Sequence, residues 1–277
     1  MPEKLATIVS DSARKITGGK SPEMMKDVLN FHKESNDAGG LRLVHGNTGI
    51  DELPAIEEQF VNFMFFHVNP DWRKLNADTK RIFKSEFQSV FNKYVDDFLL
   101  FSYSLVGFDS KADLMFWRIG TSLDLIQEMT AKLYRTNLGS FLEPADNYLS
   151  VTKRMMFVRD LLEDRTRVRA GSAKYHFVYP CAKHKDWYEK SDEERDALVE
   201  ENFMVGKKFP NIRIHLTHAF GFSDHEYLIS FETDEPKDFL ALAEELRQTP
   251  ASKLTLRGMP VYTCRQRSLM ECLDALG

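Results

Sequence analysis

Phe98-Leu-Leu-Phe-Ser-Tyr-Ser-Leu-Val106, Gly107-Phe108-Asp109-Ser110 and Asp113-Leu-Met-Phe-Trp-Arg-Ile119 read as strand, turn and strand. The series returns later in the chain as Ile212 to Phe220, Gly221-Phe222-Ser223-Asp224 and Tyr227 to Glu232. Short loops carrying glycine join antiparallel neighbours, so each series is a hairpin. The flanks return as well. Phe60-Val-Asn-Phe-Met-Phe-Phe-His-Val68 leads to Asp71-Trp72 and a helical pattern from Asp78 to Tyr94. Tyr175-His-Phe-Val-Tyr179 leads to Asp186-Trp187 and a helical pattern from Asp192 to Lys208. A second helix follows each hairpin, over Thr121 to Leu133 and over Pro236 to Arg247. The tryptophans are 187 − 72 = 115 positions apart and the turn glycines 221 − 107 = 114. Spacing kept to one residue across two landmarks marks an internal repeat.

Each half therefore runs strand, helix, strand, strand, helix and a final strand, the order of a ferredoxin-like α+β unit with its helices on one sheet face. In the first helix Ile82, Phe83, Phe87, Val90, Phe91 and Tyr94 recur at three- and four-residue spacings, as a sheet-packed helix requires. Two such sheets can pair their open faces into a barrel. That explains why Phe98 to Val106 is apolar on both of its faces. The repeats span 56–152 and 173–277, joined by a connector over 153–172. Residues 1–55 match neither and form an N-terminal extension with two short amphipathic helices, Leu5 to Val9 and Met24 to Phe31, and a glycine-bearing loop over Asn36 to Asn47. Ser268 to Leu276 makes a closing helix.

The chain has 277 residues, with 37 Lys+Arg against 42 Asp+Glu for a net charge of −5, and 43% hydrophobic residues. That composition is globular and excludes wholesale disorder. The mildly acidic balance speaks against a nucleic-acid partner, and the basic residues of the connector are diluted by Asp160, Glu163 and Asp164. No apolar run reaches the roughly 18–20 residues of a membrane span, and the opening Met1-Pro-Glu-Lys-Leu has no signal-peptide pattern. A soluble, cytoplasmic protein is expected. Cys181, Cys264 and Cys272 show neither a disulfide framework nor zinc spacing.

Motifs of common chemistries are missing. There is no GxGxxG opening a helix, no GxSxG and no HExxH. Thr17-Gly-Gly-Lys20-Ser21 lacks the strand and glycine spacing of a phosphate loop. His215 and His218, three apart on one strand, face opposite sides, and each reads as a hydrogen-bonded structural histidine.

Asp186-Trp187-Tyr188, Ser191-Asp-Glu-Glu-Arg195, the Gly221 turn, Phe231-Glu-Thr-Asp234 and the tail from Leu256 to Met270 resemble the chlorite dismutase family, which includes coprohaem decarboxylases. Asp113 to Phe116 and Val151-Thr-Lys153 resemble its first half. The resemblance covers residue 58 to the end. It implies tandem ferredoxin-like repeats forming a dimeric α/β-barrel-type domain, assembled as a homo-oligomeric (pentameric) ring. It also implies haem b or coprohaem in the second half, with an oxidoreductase activity of peroxidase or chlorite type.

Carried over by position, the family's proximal histidine falls on Asn202 when counted from Glu193-Glu194-Arg195, and on Glu201 when counted back from Phe231. The distal arginine falls on Ile214, the neighbouring pocket positions on Leu216, Ile229 and Phe231, and the radical tyrosine on Phe157. Lys153, Met156 and Trp187 complete the implied pocket. The chain thus resembles a divergent member without the usual proximal histidine, distal arginine or radical tyrosine. Two functions follow. One is a tetrapyrrole binder; the other is a haem-free, non-catalytic scaffold or accessory subunit that binds no cofactor or an apolar small molecule.

Overall fold

The computed structural model describes residues 58–152, 173–257 and 260–277. The N-terminal extension and the whole connector, including Lys153, Met156 and Phe157, lie outside them. The first half runs β1 (Phe60–Val68), α1 (Ala77–Phe91), β2 (Leu99–Ser104), β3 (Leu114–Gly120), α2 (Leu123–Tyr134) and β4 (Leu142–Val151). The second begins with β5 (Tyr175–Lys183), the short α3 (Lys185–Tyr188), α4 (Asp192–Lys207), β6 (Arg213–His218) and β7 (Tyr227–Thr233). It ends with α5 (Pro236–Gln248), α6 (Pro250–Lys253), β8 (Thr255–Arg257), β9 (Tyr262–Gln266) and α7 (Leu269–Ala275). The expected repeat order is present. The short helix α3 around Trp187 and the α6–β8 excursion were not anticipated, because segments of three or four residues are too short to show a period.

Local chemistry explains the element ends. Asn76 caps α1 by accepting from Thr79 N at 2.9 Å. Ser191 and Glu194 form a reciprocal capping box at the start of α4. Gly107 and Gly221 have φ of +82° and +78°, a region that side chains other than glycine rarely enter, so both hairpin turns depend on glycine.

The strands lie in the order β7-β6-β4-β1-β3-β2-β9-β5-β8, and β7 also pairs with β5. All strand pairs are antiparallel, and that last pairing closes the sheet on itself. Two ferredoxin-like sheets thus make one barrel, with β8 added beside β5. The seams between the halves are thin: Val151 opposite His218 on one side, and Tyr103 opposite Gln266 with Ser104 opposite Arg265 on the other.

Alternation along each strand separates a barrel interior from a helix-covered exterior. Val61, Phe63, Phe65, Tyr103, Met115, Trp117, Val178 and Tyr262 fill the interior. Met64, Phe66, Leu114 and Phe116 face α1 and α2. Phe98 and Leu100 belong to the exterior cluster while Phe101, Tyr103 and Leu105 belong to the interior one, which is the two-sided apolarity read from the sequence.

Candidate functional site

The register of β6 on β7 places the candidate pocket residues on one sheet face. Ile214 pairs with Phe231, Leu216 with Ile229, and His218 with Tyr227. This is the face turned away from the barrel interior, since Phe231 and Ile229 belong to the exterior cluster built around Phe177, Phe239 and Leu242. His215, one step along, turns inward and bonds Glu232 Oε2 through Nε2 at 2.8 Å. The two histidines therefore do face opposite sides, and His215 has a structural partner.

The exposures along this face are uneven. Phe231 is 7% exposed and already holds contacts with Phe239 and Tyr179 at 5.0 and 5.6 Å between ring centres. Ile229 and Leu216 are half-buried, and Ile214 is 39% exposed. The face is thus packed under α5 and more open toward β6.

Opposite the open part lies α4, which has no buried residue along its length. Its C-terminal turns approach the sheet. Val205 packs against the Phe177–Phe239 cluster, and a Cβ on Gly206 would stand 3.1 Å from Ile214 Cδ1. Asn202 precedes these two residues by three and four positions and so shares their helix face. It is half-buried, whereas Glu201 is exposed. Of the two positions left open by counting, Asn202 is the one on the sheet-facing stripe. Its Oδ1 is closed off from solvent and has no hydrogen-bond partner among the described residues.

Trp187 lies in α3, just past the end of β5. It is 6% exposed, and Lys183 Nζ lies 4.3 Å from its ring centre. Burial holds the Lys183 ammonium below its ordinary value, and Nζ also donates to Thr255 Oγ1 at 2.8 Å. Trp72, the counterpart in the first half, is fully buried with Lys80 and Lys84 at 5.9 and 5.8 Å from its ring. Tryptophan with a covering lysine is therefore common to both halves. Nearby, burial pushes the Cys181 thiol up to about 11 and, with help from Glu226, the Tyr227 hydroxyl up to about 12. Neither group ionises near neutrality.

All three cysteines are buried free thiols. Among the described residues no group of three His, Cys, Asp or Glu side chains is arranged to hold a metal ion. No helix among them is long and apolar enough to cross a membrane. A cavity of about 360 Å³ lies elsewhere, between α1 and α7, lined by Lys80, Lys84, Met270 and Asp274 among others. None of the candidate pocket residues lines it.

A closed barrel of two ferredoxin-like halves, with a loosely seated helix over an apolar sheet face in the second half, defines the class. The family model described as chlorite dismutase matches residues 80–267, and the chain belongs to the chlorite dismutase family. It is 26% identical over 164 residues to a coproheme decarboxylase of Mycolicibacterium smegmatis, covering 58% of this chain and 70% of that one. It is 22% identical over 221 residues to a chlorite dismutase of Ideonella dechloratans, covering 76% and 78%. Among solved structures, the chlorite dismutase of Candidatus Nitrospira defluvii in complex with imidazole matches with a TM-score of 0.73 at 25% identity, over 79% of this chain and 94% of that one. A haem-binding protein of Thermus thermophilus shares the fold at a TM-score of 0.72 and 20% identity, over 80% and 96%.

The residues on this face can be tested against the group that the relatives' names imply. Apolar side chains and a half-exposed strand suit a flat macrocycle. An imidazole-held iron does not fit. The helix offers a carboxamide oxygen at Asn202 and carries no histidine. No reaction step through iron is derived.

Proposed function

We propose that the protein binds a haem-type tetrapyrrole, haem or coprohaem, between α4 and the Ile214, Leu216 and Ile229 face. We also propose that it does so as a divergent family member without the usual proximal histidine, distal arginine and radical tyrosine. The observation that carries this reading is the seating of α4: the helix buries no side chain, and the strand beneath it keeps Ile214 39% exposed. Covering roughly 300 Å² of apolar ring would contribute on the order of 7 kcal/mol at ~25 cal/mol per Å², enough for binding led by burial. Trp187 and Lys183 border the ring. Lys153, Met156 and Phe157 belong to the same proposed pocket, with Lys153 and Arg159 as partners for the propionates.

Binding is the role these residues support. Stabilising a departing anion needs a cationic donor aimed at it, and the strand facing α4 presents Ile214 and Leu216. Assembly as a homo-oligomer, a pentamer by family resemblance, is part of the same proposal.

A second reading, the haem-free scaffold, is favoured by two details: Gly206 comes close to Ile214, and Phe231 is covered by Phe239. A titration of the protein with haem and with coprohaem, followed by ultraviolet–visible absorption, separates the two. Saturation of a sharpened Soret band at one equivalent per chain is expected. A spectrum of free haem alone would favour the scaffold.

A further inference from the structure

The cavity of about 360 Å³ between α1 and α7 has a lopsided charge. Lys80, Arg81 and Lys84 of α1 line one wall, and Met270, Asp274 and Gly277 line the other. Three cations thus face a single side-chain carboxylate. Lys84 is the buried one, its side chain 10% exposed, and its Nζ lies 3.1 Å from Asp274 Oδ1. An ammonium carries three donors, and Asp274 takes one. Lys80 donates to Arg73 O at 3.3 Å. Arg81 reaches Asp78 at 3.2 Å in an exposed pair, of the kind that contributes little.

This placement works against α1 as a helix. Cations are favoured in the last turn of a helix and disfavoured near its start. Yet α1 has no basic residue in its last turn and carries all its cations nearer its start. Lys80 and Lys84, four apart, are like charges on one helix face. Both ammoniums also sit over the same Trp72 ring, at 5.9 and 5.8 Å from its centre. The fold does not demand this arrangement. The offset between the two tryptophans carries the three positions onto Arg195, Asp196 and Val199 of α4, which are one cation, one carboxylate and one apolar side chain. The chain as a whole has a net charge of −5, so the concentration is local. An anion held among the three cations would offset both their mutual repulsion and the unfavourable dipole. We propose that this cavity binds a phosphate group, with Arg81 as the forked donor and Lys80 and Lys84 as point charges. The lining side chains carry 3 − 1 = 2 positive charges in excess, which matches a phosphate monoester at about −1.5 to −2 near neutrality. Met270 and the lysine stems supply an apolar wall for the body of such a ligand.

The test titrates the full chain with inorganic phosphate and with phenyl phosphate by isothermal calorimetry at low ionic strength. Saturation at one equivalent per chain is expected, weakening as salt is added. Tighter binding of phenyl phosphate would identify the ligand as a monoester, and binding no tighter than that of inorganic phosphate would identify it as the free ion; either upholds the site. Lys80→Gln and Arg81→Gln, at the solvent side of the cavity, should each weaken binding by about tenfold. Lys111→Gln, which removes an exposed cation from the β2–β3 turn, should leave it unchanged. Saturation by neither ligand would overturn the proposal. So would equal weakening by Lys111→Gln, the mark of diffuse charge, or binding unaltered in both Lys80→Gln and Arg81→Gln.

Discussion

The first helix of each half sits on its sheet in a different way. α1 is driven into the sheet by Phe87 and Phe91, which both pack on Phe116, and Phe87 is fully buried. α4 has the better cap, with a complete capping box at Ser191, yet it buries nothing. Capping decides where a helix starts, and the apolar stripe decides how firmly it is seated. In α4 the stripe positions are held by Asn202 and Gly206, where α1 has large aromatic rings. The first half seats its helix through large rings, and the second through a polar residue and a glycine.

The strands beneath repeat the contrast. Asn62 stands 72 − 62 = 10 residues before Trp72, and Phe177 stands 187 − 177 = 10 before Trp187. Their cross-strand partners are Arg118 and Phe231. Arg118 Nε and Nη2 donate to Asn62 Oδ1 at 3.0 and 2.5 Å, and Nη1 donates to Ile126 O and Thr130 Oγ1 at 3.2 and 2.7 Å. Burial brings its guanidinium down to about 10. The first half thus spends this position on a buried cation held by neutral acceptors, and the second fills it with a pair of phenylalanines.

The largest effect should come from breaking the tight half. Phe87→Ala is expected to cost about 4 kcal/mol by leaving a cavity, against less than about 1 kcal/mol for Asn202→Ala on the half-exposed helix face; urea unfolding of the two variants compares them directly. Equal losses would mean that the helices are seated alike. Next, Asn62→Leu strips Arg118 of its principal acceptor and should cost about 3 kcal/mol, read as a lowered denaturation midpoint at unchanged slope.

The barrel interior, where the halves meet, should show the third effect. His176 is fully buried with both ring nitrogens unpartnered, among Phe63, Tyr103, Trp117 and His215. Burial, and then His215, holds its pKa well below the ordinary 6.5. The unfolded chain takes up a proton below that pH and the folded chain does not, so stability falls as pH drops from about 6.5. The contribution is about 1.4 kcal/mol per pH unit. His176→Phe should flatten that slope, and stability curves at a series of pH values would show whether it does. The smallest change is Gly206→Ala. Alanine should stabilise α4 by about 0.5–1 kcal/mol if Ile214 shifts to admit the new Cβ, while weakening tetrapyrrole binding; a rise in melting temperature with unaltered binding would break the link between helix seating and ligand.

The fold was readable because duplication supplies its own check. Trp72 with Trp187 and Gly107 with Gly221 fixed the repeat before any single strand was certain, and helix periodicity at Phe87 and Phe91 placed the covered face. The strand over Ile212 to Phe220 proved shorter, Arg213–His218, since the turn at Gly221 consumes Ala219 and Phe220. The site was only partly legible. Alternation alone put Ile214, Leu216 and His218 on one face, but two landmark counts disagreed by one residue between Glu201 and Asn202. One residue on a helix is a rotation of about 100°, so only the packed helix separates the exposed side chain from the inward one. The inner cluster of His176, Tyr103 and Trp117 was not foreseen. Its members come from three strands in two halves, and nothing local in the sequence joins them.

The two thin seams of the barrel carry a consequence for how it opens. Where long ladders such as β1 with β4 must unzip through many bonds, the join of β4 to β6 rests on the single facing pair Val151 and His218, braced by Ser150 Oγ and Thr217 Oγ1 at 2.7 Å. Deuterium should therefore enter first at the amides of that join, while the ladders within each half still resist it. The molecule would breathe like a book on its spine, each leaf staying flat, and one side of this join is β6, the strand whose Ile214 lies against α4.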